Sequence, residues 1–181
     1  MKGVVFTEFL DMVEGKFSLI TAERIIERCD LPSGGIYTAV GTYDHDEMVA
    51  LVMQLSKETG VPIPDLLRTF GEFLFGRFVE GYPAFFEEPK TTFAFLDTVH
   101  DHIHVEVRKL DAKAELPTLE CRQPAPGKQI VTYRSARGLA DLAEGLIRAA
   151  IAHYGEDIAL SMEDLSGGDK TEVRFVLDKA A

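Results

Sequence analysis

The sequence predicts an α+β fold, with a helical N-terminal half packed on a second unit of helices and a four-stranded antiparallel sheet. Three observations carry that prediction. Apolar residues recur at three- and four-residue spacing through the first half of the chain. Past Leu116 and Pro117 the period shortens toward two, and turn residues gather at Pro124, Pro126 and Gly127. Helices precede strands instead of alternating with them, which favours segregated elements over a doubly wound sheet.

Val5, Phe6, Phe9, Met12 and Val13 lie on one face of a first helix, and Ile20, Ile25 and Ile26 belong to a short second one. Asp44 or Asp46 caps a third helix, which carries Met48, Leu51, Val52 and Leu55 and stops at Gly60. Pro64 suits the first turn of a fourth, followed by Leu67, Phe70, Phe73, Leu74, Phe75 and Phe78. That segment holds more phenylalanine than one amphipathic face requires. A fifth helix is expected from about Thr92 to Leu110. Strands follow at Leu119–Arg122 and Gln129–Ser135, then a helix at Gly138–Tyr154, then strands at Ile158–Met162 and Glu172–Leu177 around the turn sequence SGGD. Two subdomains are expected, a helical one over about 1–62 and a helix-plus-sheet one over about 63–181, with no internal repeat and no low-complexity linker.

With 181 residues the chain is long enough to bury a substantial core. Its 19 basic and 30 acidic residues leave a formal charge of −11, which disfavours nucleic acid and anionic membranes as partners. Apolar residues at 46% against 27% charged place it among globular, not disordered, chains. No apolar run reaches the ~18–20 residues of a membrane span. Glu8, Asp11 and Glu14 interrupt the N-terminal apolar stretch, unlike a secretory signal. The cysteines are Cys29 and Cys121 alone, too few for a disulfide framework, so a reducing cytoplasm is expected.

Two constellations carry chemistry. His100, His102 and His104 fall within VHDHIHVEVRKL. On a wheel of ~100° per residue, Phe93, Leu96, Val99, Ile103, Val107 and Leu110 form an apolar arc. His100 lies inside that arc, His104 at its edge, and His102 elsewhere. An imidazole bordering an apolar face is placed to enter a buried cavity, although most such histidines are ordinary hydrogen-bonded helix residues. His100 and His104 also have the four-residue spacing of two metal ligands on one helix, but no HExxH pattern and no clear third ligand accompany them. The second constellation is Tyr133, Ser135 and Arg137. In an extended chain these project to one side, two hydroxyls and a guanidinium forming a fork for carboxylates or phosphates. A solvated strand face would also account for them.

The opening MKGVVF, the phenylalanine-rich GEFLFGRF, the VHDHIHVEVRKL segment, LPTLEC and YRSARGL together resemble the heme nitric oxide/oxygen-binding (H-NOX) family, the bacterial relatives of the heme domain of soluble guanylate cyclase. The resemblance spans essentially the whole chain. Its signature is a histidine followed at a nearly fixed interval by Tyr-x-Ser-x-Arg. The family pattern sets a proline thirteen residues and the motif tyrosine twenty-nine residues after the ligand, and of the three histidines only His104 meets both, through Pro117 and Tyr133.

The resemblance implies that His104 is the proximal iron ligand of heme b (Fe-protoporphyrin IX), within a fold whose two parts enclose the heme. Tyr133, Ser135 and Arg137 hold the two propionates, and Pro117 presses on the proximal face. Val5, Phe9, Leu74, Phe78, Leu142 and Leu146 form the distal wall, although a periodic apolar stripe is by default plain core. Such a site wants one imidazole, apolar walls and a polar fork. Relatives that hold O2 stably carry a distal tyrosine nine residues after the motif tyrosine, and Leu142 stands there in this chain. The implied function is a cytoplasmic sensor that binds NO and CO at ferrous heme and excludes O2. No effector domain fits beside it in 181 residues, so signalling is expected in trans, to a histidine kinase or a cyclic-di-GMP enzyme (diguanylate cyclase or phosphodiesterase). The domain itself is expected not to be an enzyme. SMEDLSGGDKTEVRF has no cysteine, so the zinc site some relatives carry there is not expected. Cys121, near the proximal side, reads as a buried, inert thiol, with a redox-sensitive thiol as the alternative. Two rival readings are a zinc enzyme using His100 and His104, and a heme-free module whose Tyr133, Ser135 and Arg137 bind another anion.

Overall fold

The computed structural model describes residues 1–110 and 115–180, apart from the side chains of Glu106 and Leu110. Helices α1 (Gly3–Lys16), α2 (Leu19–Glu27), α3 (His45–Thr59) and α4 (Ile63–Gly81) come first, followed by the short α5 (Ala84–Glu87) and α6 (Thr92–Thr98). A π-helical turn, Val99–Ile103, joins α6 to α7 (His104–Leu110). Strands β1 (Thr118–Ala125) and β2 (Lys128–Arg134), helix α8 (Ala140–His153), and strands β3 (Ile158–Asp164) and β4 (Glu172–Lys179) complete the chain. This is the expected α+β order.

Local chemistry explains the helix ends. The Ser18 hydroxyl accepts from Thr21 N at the start of α2, and the Asp44 carboxylate from Asp46 N at the start of α3, so Asp44 is the cap. α3 stops at Gly60, and Pro64 sits in the first turn of α4, both as the sequence predicts. The strands form one antiparallel sheet in the order β1-β2-β4-β3. Across it Val131 pairs with Cys121 and Phe175, and Tyr133 with Leu119 and Val173. Because alternate residues share a face, Gln129, Val131 and Tyr133 all turn inward with Val173, Phe175 and Leu177, and all six are buried.

Two apolar clusters hold the molecule. One joins α1, α2, α3 and the first part of α4 around Phe6, Phe9, Met12, Leu51 and Phe70, with Phe9 edge-on to Phe70 at 5.2 Å. The other joins the inner sheet face to α6, α8 and Phe75 of α4. Phe78 and Leu146 pack against both. Each buried large side chain contributes ~1.5–3 kcal/mol, so the helix pair α4 and α8 is where the two clusters are tied together.

Those helices cross backbone on backbone. A Cβ on Gly145 would lie 2.2 Å from the Arg68 carbonyl oxygen, and one on Gly71 2.3 Å from that of Leu142. Gly145→Ala is therefore expected to force the helices apart and cost about 1–3 kcal/mol, read as a lower urea midpoint at unchanged slope. A midpoint equal to that of the unsubstituted protein would show that the crossing yields freely.

The predicted fifth helix differs from the observed one. His104 N donates to Val99 O, a bond one residue longer than an α turn, so the segment is α6, π turn and α7 instead of one regular helix. Every side chain after Val99 is thereby shifted in phase from the 100° wheel. The Leu110 side chain, placed by the sequence in the apolar arc, lies outside the described residues. α5 was not expected, because four residues ending in Phe-Phe-Glu carry no helical period.

Candidate functional site

β2 delivers Tyr133 to the inner sheet face, 3% exposed and edge-on to Phe175 at 6.5 Å. The chain then leaves the sheet. Ser135 N donates to Thr171 O at 2.9 Å, and Ser135 Oγ accepts from Arg137 N at 3.2 Å. Gly138 follows with φ +61°, and a Cβ there would meet the Asp169 carbonyl oxygen at 2.7 Å, so this turn has room only for glycine. Burial raises the Tyr133 phenol pKa, while Ser135, the Leu139 backbone and the Arg137 charge pull it the other way. Tyr133, Ser135 and Arg137 are thus brought together, as the sequence predicts. The Arg137 guanidinium is largely covered and donates through Nη2 to Glu115 Oε2 at 3.0 Å, while its Nε is buried with no hydrogen-bond partner.

The π turn sets the aim of the histidines. His104 closes it, and the rings of His100 and His104 lie 6.2 Å apart at 78°. Nδ1 of each is buried without a hydrogen-bond partner, whereas His102 is exposed. Burial lowers the His104 pKa to about 4, with the neighbouring His100 and Arg108 acting in the same sense and the Pro117 carbonyl opposing. His104 is therefore neutral near pH 7, the form in which an imidazole nitrogen offers a lone pair to a metal. The wheel put His104 at the edge of the apolar arc and His100 within it. In the structure both are half-buried, because the π turn alters the phase between them.

Phe9 and Leu74 are buried in the first cluster, and Val5, Phe78, Leu142 and Leu146 pack against it while staying only half-buried. These half-buried apolar side chains come from three helices, Val5 from α1, Phe78 from α4, and Leu142 and Leu146 from α8. Pro117, half-buried, enters β1 beside His104.

A neutral imidazole whose Nδ1 has no partner, an apolar wall and a guanidinium with an unused buried nitrogen fit a flat apolar metal chelate that carries carboxylates at one edge. Among the described residues, the one group of three or more potential metal ligands within reach of one another is Asp44, His45 and Asp46 on the surface, so His100 and His104 gain no third ligand. Burial, followed by the Asp97 charge, pushes the Cys121 thiol up to about 12, which makes it inert as a nucleophile. No helix among the described residues is long and apolar enough to cross a membrane.

The architecture is thus a helical cap set on a helix-backed sheet, with the half-buried His100 and His104 carried on the π turn between α6 and α7. The chain belongs to the haem-NO-binding family of heme-based gas sensors, whose model matches residues 2–162. It is 38% identical to the H-NOX protein of K. algicida, solved in the Fe(II) unliganded state, with a TM-score of 0.94 over 100% of this chain and 97% of that one. It is also 38% identical to the H-NOX protein of Shewanella woodyi, solved in the Fe(II)CO state with IWP-051 bound, with a TM-score of 0.84 over 99% and 95% of the two chains. A soluble guanylate cyclase of Caenorhabditis elegans is 24% identical over 91% of this chain, which spans 25% of that protein's length. Family members bind heme as sensor domains, and the four-stranded antiparallel sheet with its helices matches the H-NOX fold.

Sequence reasoning missed the polar groups behind the site. Asp141 and Glu144 of α8 are buried, and both accept from Arg68 of α4, at 3.2 and 3.3 Å. Gln129, fully buried, donates from Nε2 to Phe93 O at 3.2 Å and to Asp97 Oδ1 at 2.8 Å, fastening α6 to the sheet. The one sequence signal for either was a polar residue at an inward strand position, Gln129 between Val131 and the hairpin turn.

Proposed function

We propose that this domain senses nitric oxide with a ferrous heme b held between its two subdomains, a helical distal one of about 1–62 and a proximal one of about 63–181. His104 would ligate the iron. Tyr133, Ser135 and Arg137 hold the propionates, Pro117 lies against the proximal face, and Val5, Phe9, Leu74, Phe78, Leu142 and Leu146 line the distal side. The observation that carries this reading is the half-buried, neutral His104, its Nδ1 enclosed and unpartnered, at thirteen residues before Pro117 and twenty-nine before Tyr133. Ferrous heme, when bound, would supply the iron that takes up NO or CO.

The chain's own residues do the rest. His104 anchors the π turn and α7 while coordinated, and its release frees that segment to shift, a two-state element biased by ligand. The distal wall excludes water and offers no hydrogen-bond donor, which favours NO and CO over O2. The changed surface is read in trans by a histidine kinase or a cyclic-di-GMP enzyme in the cytoplasm, and the domain catalyses nothing itself. The direct test is an absorption spectrum of protein expressed with heme supply. A Soret band that shifts on adding NO or CO supports the reading. Equimolar zinc with no Soret band would favour a metalloenzyme instead, and neither metal nor colour a heme-free regulatory module.

Arg137→Ala is expected to release heme to an acceptor protein faster than Tyr133→Phe does. A charge-assisted hydrogen bond contributes roughly 1.5–3 kcal/mol against ~1 for a neutral one. Equal transfer rates from the two variants would remove the basis for placing these side chains at the propionates.

A further inference from the structure

Among the described residues, Lys170 is the one non-glycine with positive φ, at +53°. It lies in the β3–β4 connection, and a lysine keeps this disfavoured backbone only where its surroundings impose it. The connection is tightly knotted. Asp164 accepts from Ser166 N and Gly168 N, each at 2.8 Å, and Ser166 Oγ accepts from Thr171 N at 3.0 Å. The strained residue points its ammonium at Asp141, donating to Oδ2 at 2.6 Å, while Asp141 Oδ1 accepts from Arg68 of α4 at 3.2 Å. Asp141 is 3% exposed in the first turn of α8.

The same connection braces the fork. Thr171 O accepts from Ser135 N at 2.9 Å, and the Asp169 carbonyl fills the space where Gly138 has no side chain. Residues 135–139, which carry Ser135 and Arg137, are therefore held between β3–β4 on one side and the start of α8 on the other. The Lys170–Asp141 pair is the side-chain bond that closes these two walls on each other.

We infer that Lys170 and Asp141 are positioning residues: their ion pair clasps the β3–β4 connection to α8 and so fixes the loop that aims Ser135 and Arg137 at the carboxylate edge of the pocket. This rests on the reading of Tyr133, Ser135 and Arg137 as the propionate fork. Removing the lysine charge leaves the buried Asp141 to Arg68 alone, so some stability is lost as well, and the charge-keeping Lys170→Arg separates that loss from the geometry of the loop.

The test compares Lys170→Met, which keeps the stem and removes the charge, with Lys170→Arg, which keeps the charge, and with Arg137→Ala. Heme transfer from each holoprotein to an acceptor protein is measured beside amide hydrogen exchange at 135–139 and thermal melting of the heme-free chains. Lys170→Met is expected to transfer heme roughly fivefold faster and to exchange faster at 135–139 than at the rest of the sheet, beyond what any fall in melting temperature accounts for, with Lys170→Arg restoring both. Native transfer from Lys170→Met beside accelerated transfer from Arg137→Ala would overturn the clasp and leave the fork standing. Native transfer from Arg137→Ala would overturn the fork, and the clasp with it. A melting temperature lowered in step with faster transfer, unrescued by arginine, would reduce the pair to an ordinary stabilising contact.

Discussion

His104→Gly protein, expressed with heme supply, is expected to lose most of its heme absorption, and millimolar free imidazole is expected to restore it. The side chain occupies a half-buried position with its Nδ1 enclosed, so truncation leaves a space the size of the ring that was removed. Glycine in a helix costs about 1 kcal/mol, too little to unfold a domain with two well-packed clusters. His102→Gly is expected to change nothing, because that ring is exposed. His100→Gly is the informative control: its ring lies 6.2 Å from that of His104, and its Nδ1 is equally buried and unpartnered. If His100→Gly loses the heme and His104→Gly keeps it, the register with Pro117 and Tyr133 misassigned the ligand.

The choice between those two rings shows where sequence pattern is informative and where it ends. The strands were legible because Val131 and Tyr133 face Phe175 and Val173 across a sheet whose period is two, and the ends of α3 were legible because Asp and Gly have chemical reasons to sit at helix ends, whereas the Ser18 cap of α2 was not read. The relative aim of His100 and His104 was not. It depends on the π turn, which inserts a longer bond at Val99 without any proline or glycine to announce it. The fork was readable as Tyr-x-Ser-x-Arg. Its support was not, since Asp141 in a first helical turn looks like an ordinary dipole-favoured acid and Lys170 like a loop lysine. Only the fold brings Arg68, Asp141 and Lys170 together from positions far apart in sequence.

The unsubstituted ferrous protein is expected to bind NO and CO and to show no long-lived oxygenated spectrum in air-saturated buffer. O2 draws negative charge onto itself on binding and needs a hydrogen-bond donor nearby, a demand that NO and CO make far less. Val5, Phe9, Leu74, Phe78, Leu142 and Leu146 supply none. The tyrosines elsewhere are engaged or turned out. Tyr37 donates to Glu47 at 2.9 Å, Tyr43 accepts from Thr38 N at 2.9 Å, Tyr154 donates to Phe86 O at 3.2 Å, and Tyr82 is 53% exposed. Tyr133 is buried on the inner sheet face beside Ser135 and Arg137. Leu142→Tyr adds a donor worth ~1 kcal/mol or somewhat more in a dry pocket. Leu142 packs against the same cluster as Phe9, Leu74 and Phe78, and overpacking there costs about 1–3 kcal/mol, so the gain in O2 retention is expected to be small. The native protein decides the question. A stable oxygenated spectrum from it would mean that a donor outside this wall reaches the ligand, and the assignment of NO selectivity to Leu142 would be lost.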